Sequence, residues 1–209
     1  MIINRHTTHV IAILVFMTLT PTSYGNAASV REVTMAEMLQ VCQLVFEGKV
    51  ISTEAKENSR KRIHTFVTFE IQDIIKGEHP YDTITLSFLG GTVGDVTMMV
   101  SDMKFPEVGE HGIYFVESMQ RPQVNPLYGW SQGHFLVKID DTGTERVLTR
   151  SKRPVTEVKS NTKITATQIP KGLSTGEARG LTLGQEQGAK GLTLSEFKKA
   201  LHERLGEIQ

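Results

Sequence analysis

A single cysteine, Cys42, stands in a chain of 209 residues, which excludes any disulfide within the chain. Set among Leu39, Val41, Leu44 and Val45, it reads as a small buried hydrophobe. An activated thiol needs a polar, electropositive setting that these neighbours do not supply. Neither sign of charge is in excess: 23 Lys and Arg meet 23 Asp and Glu, so the electrostatic footprint of a nucleic-acid or anionic-membrane binder is missing. Aromatic residues make up only 7% of the chain and do not alternate with basic ones as a nucleic-acid groove requires. No phosphate loop ending in Gly-Lys-Ser/Thr, no dinucleotide-binding Gly-x-Gly-x-x-Gly and no pair of histidines at helical i, i+4 spacing occurs. No cofactor is expected.

Long apolar runs are also scarce. The one present, Val10-Ile11-Ala12-Ile13-Leu14-Val15-Phe16-Met17, is well short of the ~20 residues of a spanning helix. Arg5 precedes it, Pro21 follows, and Gly25-Asn26-Ala27 offers the small residues of a cleavage site. That order predicts a signal peptide over residues 1–27 and an exported chain, periplasmic or secreted, with no transmembrane segment after cleavage.

What the chain does have is alternation. From residue 63 to 75, Ile63, Thr65, Val67, Phe69, Ile71 and Ile75 occupy one face and His64, Thr68, Glu70 and Gln72 the other, the period of a half-buried strand. Shorter runs predict strands over residues 44–52, 84–88, 96–100, 113–117 and 135–140, with a hairpin through Asp140-Asp141-Thr142-Gly143 into residues 146–149. Thr34 and Glu37 fit a capping box that opens a short helix, and Thr193 and Glu196 fit another. Beyond the second, Leu194, Phe197, Leu201, Leu205 and Ile208 form one stripe of a C-terminal amphipathic helix over residues 193–209, expected to dock on the sheet. Residues 151–192 are rich in Lys, Thr, Ser and Gly and read as a linker. Met98, Met99 and Met103 read as core filling rather than copper ligands.

Gly90-Gly91-Thr92-Val93-Gly94-Asp95 packs three glycines into five residues directly after a strand. With strand-like sequence following, the glycines suit a corner between strands and not a phosphate cradle. The second unusual stretch is residues 120–130, rich in Pro and ending in the only tryptophan. Gly90, Gly91 and Asp95 in the first, and Arg121, Tyr128 and Trp130 in the second, are the candidate partner-binding residues, because loops that expose Arg and aromatic side chains suit binding surfaces.

Several of these segments carry a resemblance. Residues 41–50, with Phe46, Gly48 and Val50, resemble the opening strand of netrin-like domains, the group that includes the tissue inhibitors of metalloproteinases. The strand ending Lys76-Gly77 and the run Val108-Gly109-Glu110-His111-Gly112-Ile113 resemble later elements of the same group, as in uncharacterised exported bacterial proteins. The resemblance implies a mainly β protein over residues 28–150: a small five-stranded Greek-key barrel of the oligonucleotide/oligosaccharide-binding type, with a short N-terminal and a C-terminal helix. Inhibitors of that group chelate zinc with an N-terminal cysteine, which this chain lacks, so their activity does not transfer. The expected function is therefore a non-enzymatic, exported binding module for a protein or cell-envelope component, without nucleic acid. The alternative is a metal-dependent hydrolase built on histidines from several strands. Mass spectrometry of the chain recovered from an exporting host is expected to find Ala28 at the N-terminus; an uncleaved leader would remove the export reading.

Overall fold

The computed structural model describes residues 30–159, 176–185 and 190–208, so the signal peptide expected over residues 1–27 lies outside the described residues. Along the chain come α1 (Met35–Val41), β1 (Leu44–Glu57), β2 (Ile63–Lys76), β3 (Thr83–Leu89), β4 (Gly91–Val93), β5 (Val96–Met98) and β6 (His111–Val116). A 3-10 turn (Trp130–Gly133), β7 (His134–Ile139), β8 (Glu145–Thr149), β9 (Val155–Val158), β10 (Leu181–Leu183) and α2 (Leu194–Ile208) follow. Among the described residues no helix is long and apolar enough to cross a membrane.

The protein is mainly β, but the expected five-stranded closed barrel is not found. Six strands form one antiparallel sheet in the order β3-β2-β1-β6-β7-β8, leaving β3 and β8 at opposite edges with no ladder between them. At the β8 edge later chain stands where a closing strand would pair. The Val147 N–H donates to the Leu192 carbonyl at 3.0 Å and Thr149 N–H to the Arg153 carbonyl at 2.9 Å, so the segments after β8 consume its outer side. Part of the stretch read as a linker is thus folded: β9 and β10 pair, with Leu181 opposite Val158. β1 also runs further than its alternation predicted, to Glu57, since residues 53–57 pair with β2 while remaining largely exposed and so carry no apolar pattern.

β1 is bulged against β2 on either side of Gly48, and a bulged strand bends there. Gly48 and Gly112 face each other across the β1–β6 ladder. A Cβ on Gly48 would lie 2.7 Å from the Phe46 ring, and one on Gly112 would lie 2.4 Å from the Phe135 carbonyl oxygen and 3.1 Å from the Tyr114 ring. The rings of Phe46 and Tyr114 therefore fold over glycine backbone, where they meet each other at 5.3 Å and Phe69 at 5.5 and 4.6 Å. These rings centre one core with Val67, Ile84, Leu86 and Phe88. The second core, with Phe115, Phe135, Val137 and Val147, receives both helices through Met38, Leu39, Phe197 and Leu201. Buried Cys42 belongs to it, as its neighbours implied.

Both helix starts are capped as predicted, but differently. At α2 the box is reciprocal: Glu196 N–H donates to Thr193 Oγ1 at 3.1 Å and Thr193 N–H to Glu196 Oε2 at 2.8 Å. At α1, Thr34 Oγ1 accepts from Glu37 N–H at 3.0 Å, while the Glu37 carboxylate turns away to Arg31 and Tyr128. Of the methionines, Met103 packs on the first core, whereas Met99 is 88% exposed and fills nothing.

Two glycine substitutions test this account in opposite directions. Gly112→Ala is expected to lower unfolding free energy by on the order of 1–3 kcal/mol through overpacking. Gly206→Ala, in α2 with open space around it, is expected to raise it by roughly 0.5–1 kcal/mol. Urea titrations read both; an indifferent Gly112→Ala would mean that the bend does not depend on the paired glycines.

Candidate functional site

The structure distributes the six sequence-derived residues over two places. Gly90 (φ 106°) and Gly91 (φ 129°) sit in backbone conformations that L side chains rarely adopt, and a Cβ on Gly91 would lie 2.4 Å from Thr65 Oγ1. They turn the chain from β3 into the β4–β5 hairpin, which Gly94 and exposed Asp95 close. The corner reading holds. Tyr128 belongs elsewhere: its hydroxyl donates to Glu37 Oε1 at 2.6 Å and accepts from Arg31 at 3.1 Å, tying residues 120–130 to α1. Burial, reinforced by Glu37, pushes its phenol far above the ordinary range. Trp130 is half-buried in the 3-10 turn at φ 59°, its N–H donating to the Leu127 carbonyl. No hydrogen bond or ion pair joins Asp95 to Arg121, Tyr128 or Trp130 among the described residues.

Arg121 has the most open setting. It stands on the loop of residues 117–124, between two clefts. One, of about 340 Å³, runs between that loop and β3 and is lined by His64, Thr85, Leu86, Ser87 and Pro126. The other, of about 600 Å³, lies toward α1 and is lined by Val41, Gln43 and Glu117. Arg121 lines both. Its guanidinium pairs with Glu117, whose other oxygen accepts from Gln123 Nε2 at 2.6 Å. Exposed apolar side chains border the loop: Val41 at 43%, Met119 at 38% and Val124 at 44%.

Two charged groupings escaped the sequence reading. Inside the first core edge, His134 Nε2 lies 2.7 Å from Glu110 Oε1, the Tyr114 hydroxyl donates to the same oxygen at 3.3 Å, and Arg150 approaches Oε2 at 3.9 Å. Burial pulls the His134 imidazole below the ordinary histidine range against the opposing pull of Glu110, so at 2% exposure it is a neutral donor. Burial alone would raise the Glu110 carboxyl; the His134 bond, the Arg150 charge and the Tyr114 hydroxyl outweigh it and keep it ionised. Between α2 and the sheet, Lys198 Nζ reaches Glu47 at 2.8 Å and Asp73 at 2.7 Å, while His111 Nε2 meets Glu47 at 2.9 Å and Nδ1 faces Glu145 at 3.6 Å. A cleft of about 530 Å³ opens beside His111, lined also by Lys49, Lys138 and Gln72. The run Gly109-Glu110-His111 was visible as a strand start, but its partners lie 24 and 64 residues away along the chain, beyond the reach of spacing arguments.

Among the described residues no three His, Cys, Asp or Glu side chains are placed to hold a metal ion. His64 bonds Ser87, His79 bonds the Thr83 carbonyl, and His111 and His134 bond separate glutamates. Gly172-Leu173-Ser174-Thr175-Gly176 has the spacing of a nucleophile elbow, yet Ser174 lies outside the described residues. The next element described after it is the strand β10, where an elbow would lead into a helix. No family model, curated protein or solved structure matches the chain, so the reading of the site rests on its own geometry.

The Glu110 cluster fixes a pH response. An imidazole held neutral by burial binds fewer protons than in the unfolded chain, so stability falls as pH drops below about 6.5. Glu110, held below its usual 4.5, adds a second loss as pH falls past that value. Wild type is expected to lose stability between pH 7.5 and 5.5 to the histidine, and His134→Gln, which keeps a donor toward Glu110, is expected to flatten that window. Melting curves across pH decide it: an equally steep His134→Gln variant would place the titration elsewhere.

Proposed function

We propose that the protein is an exported, non-enzymatic binding module that engages a protein partner through the loop of residues 117–124. One observation carries the reading: Arg121, an exposed cation with guanidinium N–H groups beyond those given to Glu117, stands between two clefts and beside the exposed Met119, Val124 and Val41. Arginine and methionine beside apolar surface, rimmed by Gln and Ser, is the composition of interface patches. A loop root anchored on the sheet supports it, since Glu117 N–H donates to the Pro126 carbonyl at 3.0 Å and Leu89 N–H to the Val124 carbonyl at 2.8 Å. Tyr128 and Trp130 serve this surface indirectly, by fixing the end of the segment against α1.

The hydrolase alternative has less support. Among the described residues two histidines line a cleft: His111 has carboxylates at both nitrogens rather than one left toward a substrate, and His64 bonds Ser87 through Nδ1 with no carboxylate or second histidine beside it.

Affinity capture from an envelope extract is expected to recover a partner with wild type. The double variant Arg121→Ala/Met119→Ser, folded to the same melting temperature, is expected to recover at least tenfold less, since central Arg truncations at interfaces cost ~2 kcal/mol or more. Equal recovery by the folded double variant removes the loop from the interface.

A further inference from the structure

The edge strand beside this loop has an unusual state of completion. The ladder between β2 and β3 pairs Thr65 with Phe88, Val67 with Leu86 and Phe69 with Ile84. Gly90 N–H donating to the Ile63 carbonyl, and Ile71 N–H to the Asp82 carbonyl, set the parity of the ladder at its two ends. With that parity the main-chain groups of Thr83, Thr85, Ser87 and Leu89 point away from β2, toward the sheet's outer edge. Two are already engaged there: the Thr83 carbonyl with His79 Nε2 at 3.0 Å, and the Leu89 N–H with the Val124 carbonyl at 2.8 Å. Between them the N–H and C=O groups of Thr85 and Ser87 have no partner among the described residues. Both residues line the cleft of about 340 Å³, whose lining on the loop side comes from residues 118–123 and Pro126.

We infer that this gap is a strand-addition site: an extended segment of a partner protein lies in the cleft, pairs its backbone with Thr85 and Ser87, and sets a carboxylate side chain against Arg121. The inference rests on the reading of the 117–124 loop as the binding surface and names its partner's conformation and chemistry. Unpaired donors and acceptors at a sheet edge are a template for another strand, and backbone pairing there gives affinity while alternate side chains give specificity. The cleft provides for that alternation. Its lining combines the apolar Leu86, Pro122 and Pro126 with the cation of Arg121. Arg60 and Arg62, exposed at the β1–β2 turn four and two residues before His64, form no ion pair among the described residues and add to the positive end of the edge. The charge selects an acidic segment. The loop selects a single strand over a second copy of the protein, because it would stand between two β3 edges.

Panning the folded full chain against displayed random dodecapeptides tests this. Enriched peptides are expected to carry Asp or Glu, to lack proline in the paired stretch, and to slow amide exchange at Thr85 and Ser87 at least tenfold. Ser87→Pro removes an outward N–H and leaves the β2 ladder intact, as edge positions permit; it is expected to weaken peptide binding on the order of tenfold or more. Peptides that depend on Arg121 but leave both amides exchanging at the unbound rate overturn strand addition and leave the loop reading standing. No enriched peptide overturns both. Self-association in sedimentation that Ser87→Pro abolishes gives the edge to a second copy and overturns the peptide assignment. Should Ser87→Pro fail to fold, amide exchange on the wild-type chain decides alone.

Discussion

Two glycines facing each other across one ladder organise the fold. With any side chain at Gly48 or Gly112, the rings of Phe46 and Tyr114 could not lie down over the backbone, where they meet each other and Phe69. Glycine within a strand forfeits backbone entropy and side-chain packing. Here the covering aromatics restore the packing, burying ring surface where a Cβ would have stood. The β1–β6 ladder runs to Lys49 opposite His111, and Val50 still exchanges main-chain bonds with Glu110 and Gly109. Beyond it the β1–β2 hairpin continues to Glu57 without β6, and β3 with the β4–β5 hairpin accompanies it.

Gly112 also sets the position of the buried ionic cluster. Tyr114 lies over Gly112, and its hydroxyl reaches back to Glu110 at the mouth of β6. Glu110 in turn collects His134 from β7 and Arg150 from beyond β8, so one carboxylate ties together strands that the sheet already adjoins. Removing charge from water is costly unless the group is fully hydrogen-bonded. Glu110 meets that demand at Oε1, which accepts from both His134 and Tyr114, while Oε2 has only the Arg150 charge at 3.9 Å and the Arg150 Nε is left buried without a bond in the structure. The cluster thus contributes register more than stability: slipping β7 by one residue would turn His134 to the opposite face and strand the carboxylate.

How much of this the sequence carried depended on range. Period-two alternation over residues 63–75 located β2, and two Ser/Thr-x-x-Glu spacings located both helix starts, because those signals are local and each residue's neighbours in sequence are its neighbours in space. Phe46-Gly48-Val50 was visible as a motif, but its meaning required Gly112, sixty-four positions on, to be placed opposite. Closure of the sheet was misjudged for the same reason. Nothing in the composition of residues 151–192 marks Arg153 and Leu192 as the groups that cap β8, since they do so through backbone carbonyls that every residue possesses. Of the candidate site, Arg121 was legible as a charged residue in a proline-rich loop. Thr85 and Ser87 were not, because what distinguishes them is the direction of their main-chain groups.

That last contrast bears on how the two sheet edges should be weighed. An unpaired strand edge is a hazard that folded proteins cover, shorten or charge. This protein covers β8 with its own following chain, bridging Arg146 to Thr193 and Leu148 to Pro154. At β3 it covers only the ends, with His79 at one and Val124 at the other, and stands a loop alongside the middle at cleft distance. A loop that closed directly onto Thr85 and Ser87 would have satisfied four more main-chain groups at no cost in exposed apolar surface. Water satisfies those groups in the unbound protein, so leaving them open costs the fold little. The loop's standoff instead preserves a cleft along the middle of β3, with the two end contacts marking where pairing must begin and stop.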